Sequence, residues 1–489
     1  MSGLARQILP SLPKEVRLPE YNLETTTRGI VHLGPGAFHR AHQAVYTDLA
    51  MSAYGGNWKI DGVSLRSKEL RDQLETQDNL YSLMVLDDAP YVQIVGAFNQ
   101  IFVLGEQRQQ VMEAMTDPNT HIISLTVTEK GYCLNTKGEL DWQNTDIKHD
   151  LAAPDEPVSA IGLLVAALNI RFKHENAQVT IISCDNVSGN GDKLAKAVLT
   201  FAAELSPRLA QWIEEHICFP NTMVDSITPA TNDELRLKTQ QEIGVEDAWP
   251  IQRESFSQWV IENKFSGPRP AWDKVGVTFT DDVHKYEKAK LRVLNGTHST
   301  LAYLGSLCAL ETVYSAISLE PIEQFIKKLL GQEIVPSIGQ SDSMDLEQYA
   351  EDIIHRYHNE HIRHLLAQIA WDGSQKLPFR ILNPIRDNMQ NQRSFELLCV
   401  PVAAWCLFVG KRYLAQQELV DPLANTLLEL AEKHAEDPLQ LADAILDLTI
   451  IFDDLATNEE FRRIVKRHVS TLSTINQQNL TETLSRLEG

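Results

Sequence analysis

The chain has 489 residues, of which 43% are hydrophobic and 22% charged, with a formal net charge of −22. That length favours two or more domains or one large one, and the balance is that of an ordinary globular chain. The acidic charge argues against a nucleic-acid partner or an anionic membrane surface, because phosphate binding needs a basic face, while a local Lys or Arg pocket for a small acidic substrate stays open.

The opening segment, MSGLARQILPSLPKEV, has no apolar core of signal-peptide length, and no run approaches the roughly 18 apolar residues of a membrane span. Cys133, Cys184, Cys218, Cys308, Cys399 and Cys406 are scattered without a CxxC pair. In a chain this long that pattern reads as reduced thiols in a cytoplasm.

GIVHLG (29–34) is a short apolar run closed by glycine, and WKIDGVSL (58–65) reads as a second strand. LYSLMVLDDAPYVQIVGAF predicts a hairpin turning at Asp87 to Pro90. HIISLTVT (121–128) and QVTIISCDN (178–186) are β-branched runs ending in polar residues, as buried parallel strands do when they deliver loop residues at their carboxyl ends. PVSAIGLLVAALNIRF has helical spacing with a proline near its start. The alternation predicts an α/β domain with a mostly parallel sheet, of Rossmann type, over residues 1–282. From about residue 283 to 489 β-branched runs are scarce. IEQFIKKLLG, LEQYAEDIIHRYH, HIRHLLAQIAW, LANTLLELAEKHA and LQLADAILDLTIIF predict a predominantly α-helical domain, with PSIGQSDSM as a loop.

GIVHLGPGAFHRAHQA places Gly34 and Gly36 after the first strand, then opens a helix with Ala37 and Phe38. A G-x-G turn there lets backbone N–H groups approach a pyrophosphate, so these four residues are the candidate cofactor-binding turn. The alternative is a plain strand-to-helix turn, because the third glycine of G-x-G-x-x-G is absent and His39 stands in its place. After the second strand Glu69 lies at the distance expected for an acidic residue on an NAD ribose, with Arg66 and Lys68 beside it for a 2′-phosphate. The balance favours NAD and leaves NADP open. His39 and His42 are spaced for a metal pair, but no carboxylate or cysteine partner accompanies them, so packing or cofactor contact is expected and no metal.

KLRVLNGTHST (290–300) puts a lysine, an asparagine and a histidine at offsets 0, 5 and 8. On a helix, Glu287, Lys290, Asn295 and His298 fall within an arc of about 140°. The set suits carbonyl–alcohol interconversion: lysine as general acid and base, asparagine as donor to an alkoxide, histidine on the substrate oxygen. The alternative is an amphipathic helix with a surface lysine. Gly296 favours a kink or a helix start inside the stretch.

With IVHLGPGAFHRAHQAVYTD, SLTVTEKGYC, SCDNV, FPNTMVDSITP, QWVIENKF, RPAWDKVGVTFTDDV, KLRVLNGTHSTLAYLG and DGSQKLP in order from about 29 to 380, the chain resembles the polyol-specific long-chain dehydrogenase/reductase family, also called the mannitol dehydrogenase family. The resemblance implies a Rossmann-type domain, a helical domain, an active site between them, and zinc-independent NAD(P)-dependent hydride transfer. It implies Lys290 as general acid/base, Asn295 and Asn186 as the alkoxide-stabilising pair, and His298 as substrate-positioning residue. It also implies Glu287 as a proton relay, Lys376 as substrate-binding lysine, and Asp225 beside the nicotinamide. Ser226 stands where arginine is expected after MVD, and Ser255 where proline is usual.

TEKGYC, SCDNV and QIAWDGSQKLP look like the branch that reduces D-fructuronate to D-mannonate. LPEYNLETTTRGI and EDAWPI look like the branch that interconverts neutral polyols and ketoses, although Gln368 stands where that branch carries an arginine. The sugar-acid reading is preferred, with a hexitol or arabinitol dehydrogenase as the alternative. A uronate needs a cation for its carboxylate, and Lys376, Arg363 and Lys130 are the candidates. The expected partners are a small sugar acid or polyol only, with the protein a monomer or small homo-oligomer in the cytoplasm.

Overall fold

The computed structural model describes residues 3–339 and 344–487. The chain divides into two compact units, Met1–His284 and Lys285–Gly489.

The first unit is built on five parallel strands: β1 (Arg28–Leu33), β2 (Lys59–Ser64), β5 (Phe98–Val103), β6 (Ile122–Leu125) and β7 (Thr180–Ser183), in the order β5-β2-β1-β6-β7. Buried aliphatic residues alternate between the two faces. Val31, Leu33, Ile123 and Ile181 pack on one side against the helices Ala160–Lys173 and Asn190–Leu205. Ile30, Ile60, Ile122 and Ile182 pack on the other against α1 (Ala37–Ala41) and α2 (Gln43–Tyr54). The order reverses at β1, whose neighbours β2 and β6 leave it in opposite directions along the sheet. Ligands of open α/β sheets bind at the strand carboxyl ends at such a point.

The hairpin turning at Asp87 to Pro90 forms, as β3 (Tyr81–Leu86) antiparallel to β4 (Tyr91–Val95), with β9 (Ile251–Glu254) parallel to β3. A third sheet joins β8 (Thr222–Asp225), β10 (Gln258–Glu262) and β11 (Thr278–Thr280). The helix Ala160–Lys173 begins behind Ser159, whose hydroxyl accepts the Gly162 N–H and caps the first turn.

The second unit is helical, with no strand among its described residues. The long helix Val283–Leu307 leads into it. Three sequence expectations change here. HIRHLLAQIAW is helical only over Leu366–Ile369, because the backbone before it is diverted: Val313 N–H donates to the His364 carbonyl and Leu366 N–H to that of Glu311. LQLADAILDLTIIF divides into the helices Pro438–Leu446 and Thr449–Phe452. PSIGQSDSM begins with the helix Val335–Ile338, and its residues 340–343 lie outside the described residues. Among the described residues no helix is long and apolar enough to cross a membrane.

Candidate active site

In the first unit Gly34 and Asn186 follow parallel strands of the five-stranded sheet at their carboxyl ends. Gly34 follows β1 with φ +83°, a conformation that suits glycine, and a Cβ there would collide with the Thr126 carbonyl. The turn is held by Gly34 N–H to the Val63 carbonyl (2.9 Å), Gly36 N–H to the Gly34 carbonyl (2.7 Å) and Thr126 Oγ1 to the same carbonyl (2.7 Å). Gly36 opens α1 with no side-chain cap, and a Cβ on it would meet nothing nearer than the Gly34 carbonyl at 3.9 Å. The backbone of Gly36, Ala37 and Phe38 is therefore approachable, as a pyrophosphate requires. These residues fit a dinucleotide.

His39 explains the missing third glycine. Its ring is buried and stacks on His32 with centroids 3.4 Å apart and planes 15° apart. Imidazole stacking therefore replaces the close helix–strand contact that a glycine usually permits. His42 sits at the break between α1 and α2, with Nε2 on the Gln258 carbonyl (2.9 Å) and Nδ1 on the Gln43 amide (2.9 Å). The two histidines are engaged in packing. No cluster of three metal-type ligands occurs among the described residues.

Glu69 is exposed and begins the helix Glu69–Glu75 just after β2. Asn186 is exposed on the loop after β7. Asp185 before it fixes that loop to the one after β6. Its carboxylate accepts the N–H groups of Thr128 (2.7 Å) and Val127 (3.2 Å) and the Tyr132 hydroxyl (3.0 Å). Burial nonetheless raises the Asp185 pKa, against the lowering effect of those bonds. Asp225 is buried at the end of β8. Ser226, the departure noted above, donates to the Phe256 carbonyl (3.0 Å).

In the second unit Glu287, Lys290, Asn295 and His298 lie on the uninterrupted helix Val283–Leu307. Helical pitch puts the four within one arc of about 140°, which they share with buried Leu294, Leu301 and Ala302, while Ala289, Val293, Thr300 and Leu304, each 0% exposed, occupy the other side. The helix start allowed for at Gly296 does not occur, since the helix runs through it. The glycine serves packing instead: a Cβ there would come within 3.2 Å of the Arg380 carbonyl. Lys290 is buried, while Glu287 and Asn295 are half-buried.

His298 is 6% exposed, and its Nε2 has no hydrogen-bond partner among the described residues. Its ring lies 4.9 Å from both Tyr357 and His364. Burial, then His364, Arg356 and Arg380, hold it well below the usual imidazole pKa, so the ring is neutral at pH 7. Tyr357 also braces the helix, its hydroxyl 2.7 Å from Thr297 Oγ1 and donating to the Leu294 carbonyl (3.0 Å).

Lys376 is half-buried, with Nζ 3.8 Å from Asp372 and donating to the Ile369 carbonyl (3.4 Å). Burial, then Arg380, lowers its pKa. The Arg363 side chain is 73% exposed and bound to Glu311 at 2.6 Å, and its neighbour His364 is the residue brought to His298. Lys130 is exposed on the loop after β6. His364, Tyr357 and Arg380 were missed, because their part in the site comes from packing onto the long helix and not from a local motif.

A dinucleotide-type sheet with an open glycine turn, and a helix presenting lysine, asparagine and a neutral histidine, define an oxidoreductase of the Rossmann class. The chain belongs to the mannitol dehydrogenase family: the family's Rossmann domain matches residues 28–274 and its C-terminal domain residues 282–473. It is 40% identical over 464 residues to the uncharacterized oxidoreductase YeiQ of Escherichia coli K12, covering 94% of each chain. It is also 40% identical over 456 residues to D-mannonate oxidoreductase of the same organism, covering 91% of this chain and 93% of that one. The crystal structure of Pseudomonas fluorescens mannitol 2-dehydrogenase with NAD and D-mannitol superposes with a TM-score of 0.81 at 35% identity, covering 100% of this chain and 99% of that one.

Proposed function

We propose that this protein is a zinc-independent NAD(H)-dependent reductase of D-fructuronate to D-mannonate, with Lys290 as general acid/base. The observation that carries the chemistry is the single helix face with buried Lys290, half-buried Asn295 and neutral His298. The 40% identity to D-mannonate oxidoreductase, against 35% to the P. fluorescens mannitol 2-dehydrogenase, supports the sugar acid. The likeness to that mannitol 2-dehydrogenase favours a second reading, a hexitol or arabinitol dehydrogenase acting on fructose or xylulose.

Gly34, Gly36, Ala37 and Phe38 hold the cofactor's pyrophosphate, Glu69 its ribose, and Asp225 lies beside the nicotinamide. When bound, the cofactor supplies the hydride to the keto carbon. Asn295 and Asn186 donate hydrogen bonds to the oxygen on which charge builds, stabilising it more than they stabilise the ground-state carbonyl. Lys290 delivers the proton to that oxygen, and Glu287 exchanges the proton with water. His298, whose Nε2 has no partner among the described residues, positions a substrate hydroxyl. Lys376 contacts the substrate.

The test is the initial rate of NADH oxidation with D-fructuronate, D-tagaturonate, D-fructose and D-xylulose, with NADPH in parallel. Preference for D-fructuronate is expected. Preference for fructose or xylulose would move the protein to the polyol branch with the same proton chemistry.

A further inference from the structure

The candidate cations for a uronate carboxylate compare unevenly. Arg363 is committed to Glu311 in solvent, and Lys376 stands 3.8 Å from Asp372. Lys130 is exposed, five residues beyond the end of β6. Arg380, which no motif in the sequence singles out, has no ion pair among the described residues.

Arg380 lies in the π-helical turn Pro378–Leu382. Such single-turn widenings are rare and recur at functional sites. The turn meets the long helix at two points. The Arg380 carbonyl is 3.2 Å from where a Cβ of Gly296 would stand, and its Nη1 donates to Ser299 Oγ at 3.2 Å. Those two residues follow Asn295 and His298 directly. The guanidinium therefore runs alongside the helical turn that carries the donor and the histidine. The bond to Ser299 uses one of its five N–H groups. The rest of the fork is neither bonded within the described residues nor sealed from solvent. Burial, opposed by Tyr303, Tyr357 and Asp372, lowers its pKa, yet a guanidinium stays charged at neutral pH.

A half-buried guanidinium with an open fork beside a substrate-positioning histidine has the geometry for bidentate carboxylate recognition. We propose that Arg380 receives the carboxylate of the sugar-acid substrate, with Ser299 orienting its fork; this rests on the sugar-acid reading given above. It assigns the charge recognition to the 378–382 turn and leaves Lys376 to a hydroxyl of the sugar chain. D-Fructuronate and D-fructose differ at one end, where the acid replaces a hydroxymethyl group, so one pair of substrates isolates the contact.

The experiment measures kcat and KM for D-fructuronate and D-fructose with the full-length wild type, Arg380→Gln and Arg380→Lys. NADH affinity and thermal unfolding are measured for each protein. The expected result is a fall of about tenfold or more in the ratio of kcat/KM for the uronate to that for the ketose in Arg380→Gln, as for a lost charged hydrogen bond. Most of it should lie in KM, and Arg380→Lys should recover part. Where fructose turnover is too slow to measure, the split between KM and kcat for the uronate is the readout. Equal losses on both substrates, or no change in uronate KM with the fold intact, would overturn the assignment of Arg380 alone. A wild type inactive on D-fructuronate but active on fructose would overturn the sugar-acid reading and the assignment with it.

Discussion

His298 and His364 meet edge to face, with ring centroids 4.9 Å apart and planes at 82°. Both are neutral at physiological pH, chiefly through burial, and His364 is held at about 4. Neither ring takes up a proton at neutral or higher pH. Any ionisation in the rate profile over that range belongs to another group. His298→Gln is expected to weaken substrate binding and keep the shape of the profile. A profile that flattens in His298→Gln would assign the ionisation to the histidine.

Lys290→Met is expected to lower kcat by roughly 10²–10⁴-fold, the usual contribution of a positioned acid or base. In the oxidative direction lysine acts as base, so the wild-type rate falls as pH drops through its pKa in the complex. The variant loses that limb while its circular dichroism stays native. Turnover within a few-fold of wild type would remove the role.

Asn295→Ala is expected to cost about 10²-fold or more in kcat, as for loss of an oxyanion donor. The diagnostic is kcat with saturating substrate. A change confined to KM would make Asn295 a ground-state contact.

The two glycines of the turn separate folding from binding. Gly34→Ala should both destabilise the protein and abolish cofactor binding, because φ is +83° and the Thr126 carbonyl blocks a Cβ. Gly36→Ala meets only the Gly34 carbonyl, at 3.9 Å, so the fold should stand while the methyl obstructs a pyrophosphate. NADH titration by fluorescence, beside thermal unfolding, reads both. Unchanged NADH affinity in Gly36→Ala would displace the cofactor from this turn.

Acid should destabilise the fold through its buried histidines. His468 is 1% exposed and held at about 4 by burial and then Arg467, below the ordinary value of about 6.5. Between those values the unfolded chain takes up a proton that the folded one does not, so stability falls as pH drops from about 6.5 to 4. Asp48, raised by burial to about 6, works in the opposite sense between that value and about 4. His468→Gln keeps a donor for the Glu396 carbonyl and should flatten the acid slope of the urea midpoint. An identical slope would refute the assignment.

The parallel sheet was legible because strands buried on both faces write themselves as β-branched runs, as GIVHLG and QVTIISCDN do. The placement of Glu287, Lys290, Asn295 and His298 on one helix was legible because helical pitch converts residue count into angular position. His364 and Arg380 were not, since each reaches the long helix through contacts distant in sequence. Arg363 drew attention by its charge, yet charge in a loop more often faces water. HIRHLLAQIAW has helical spacing, but hydrogen bonds from Val313 and Leu366 pull its backbone out of a helix, a tertiary override of local preference. Gly296 favours a kink or a helix start by its sequence, yet the helix runs through it and its missing Cβ admits the Arg380 backbone.

The uninterrupted run of the helix Val283–Leu307 gives this enzyme a division of labour. Spacing among Glu287, Lys290, Asn295 and His298 is set by helical pitch, at about 1.5 Å and 100° per residue, and owes nothing to how a loop settles. Arg363, Gln368, Lys376 and Arg380, the candidates for distinguishing a charged from a neutral substrate, sit on separate short segments between 363 and 382. Substitutions in those segments can therefore change what surrounds the helix while the spacing of the four residues along it stays the same.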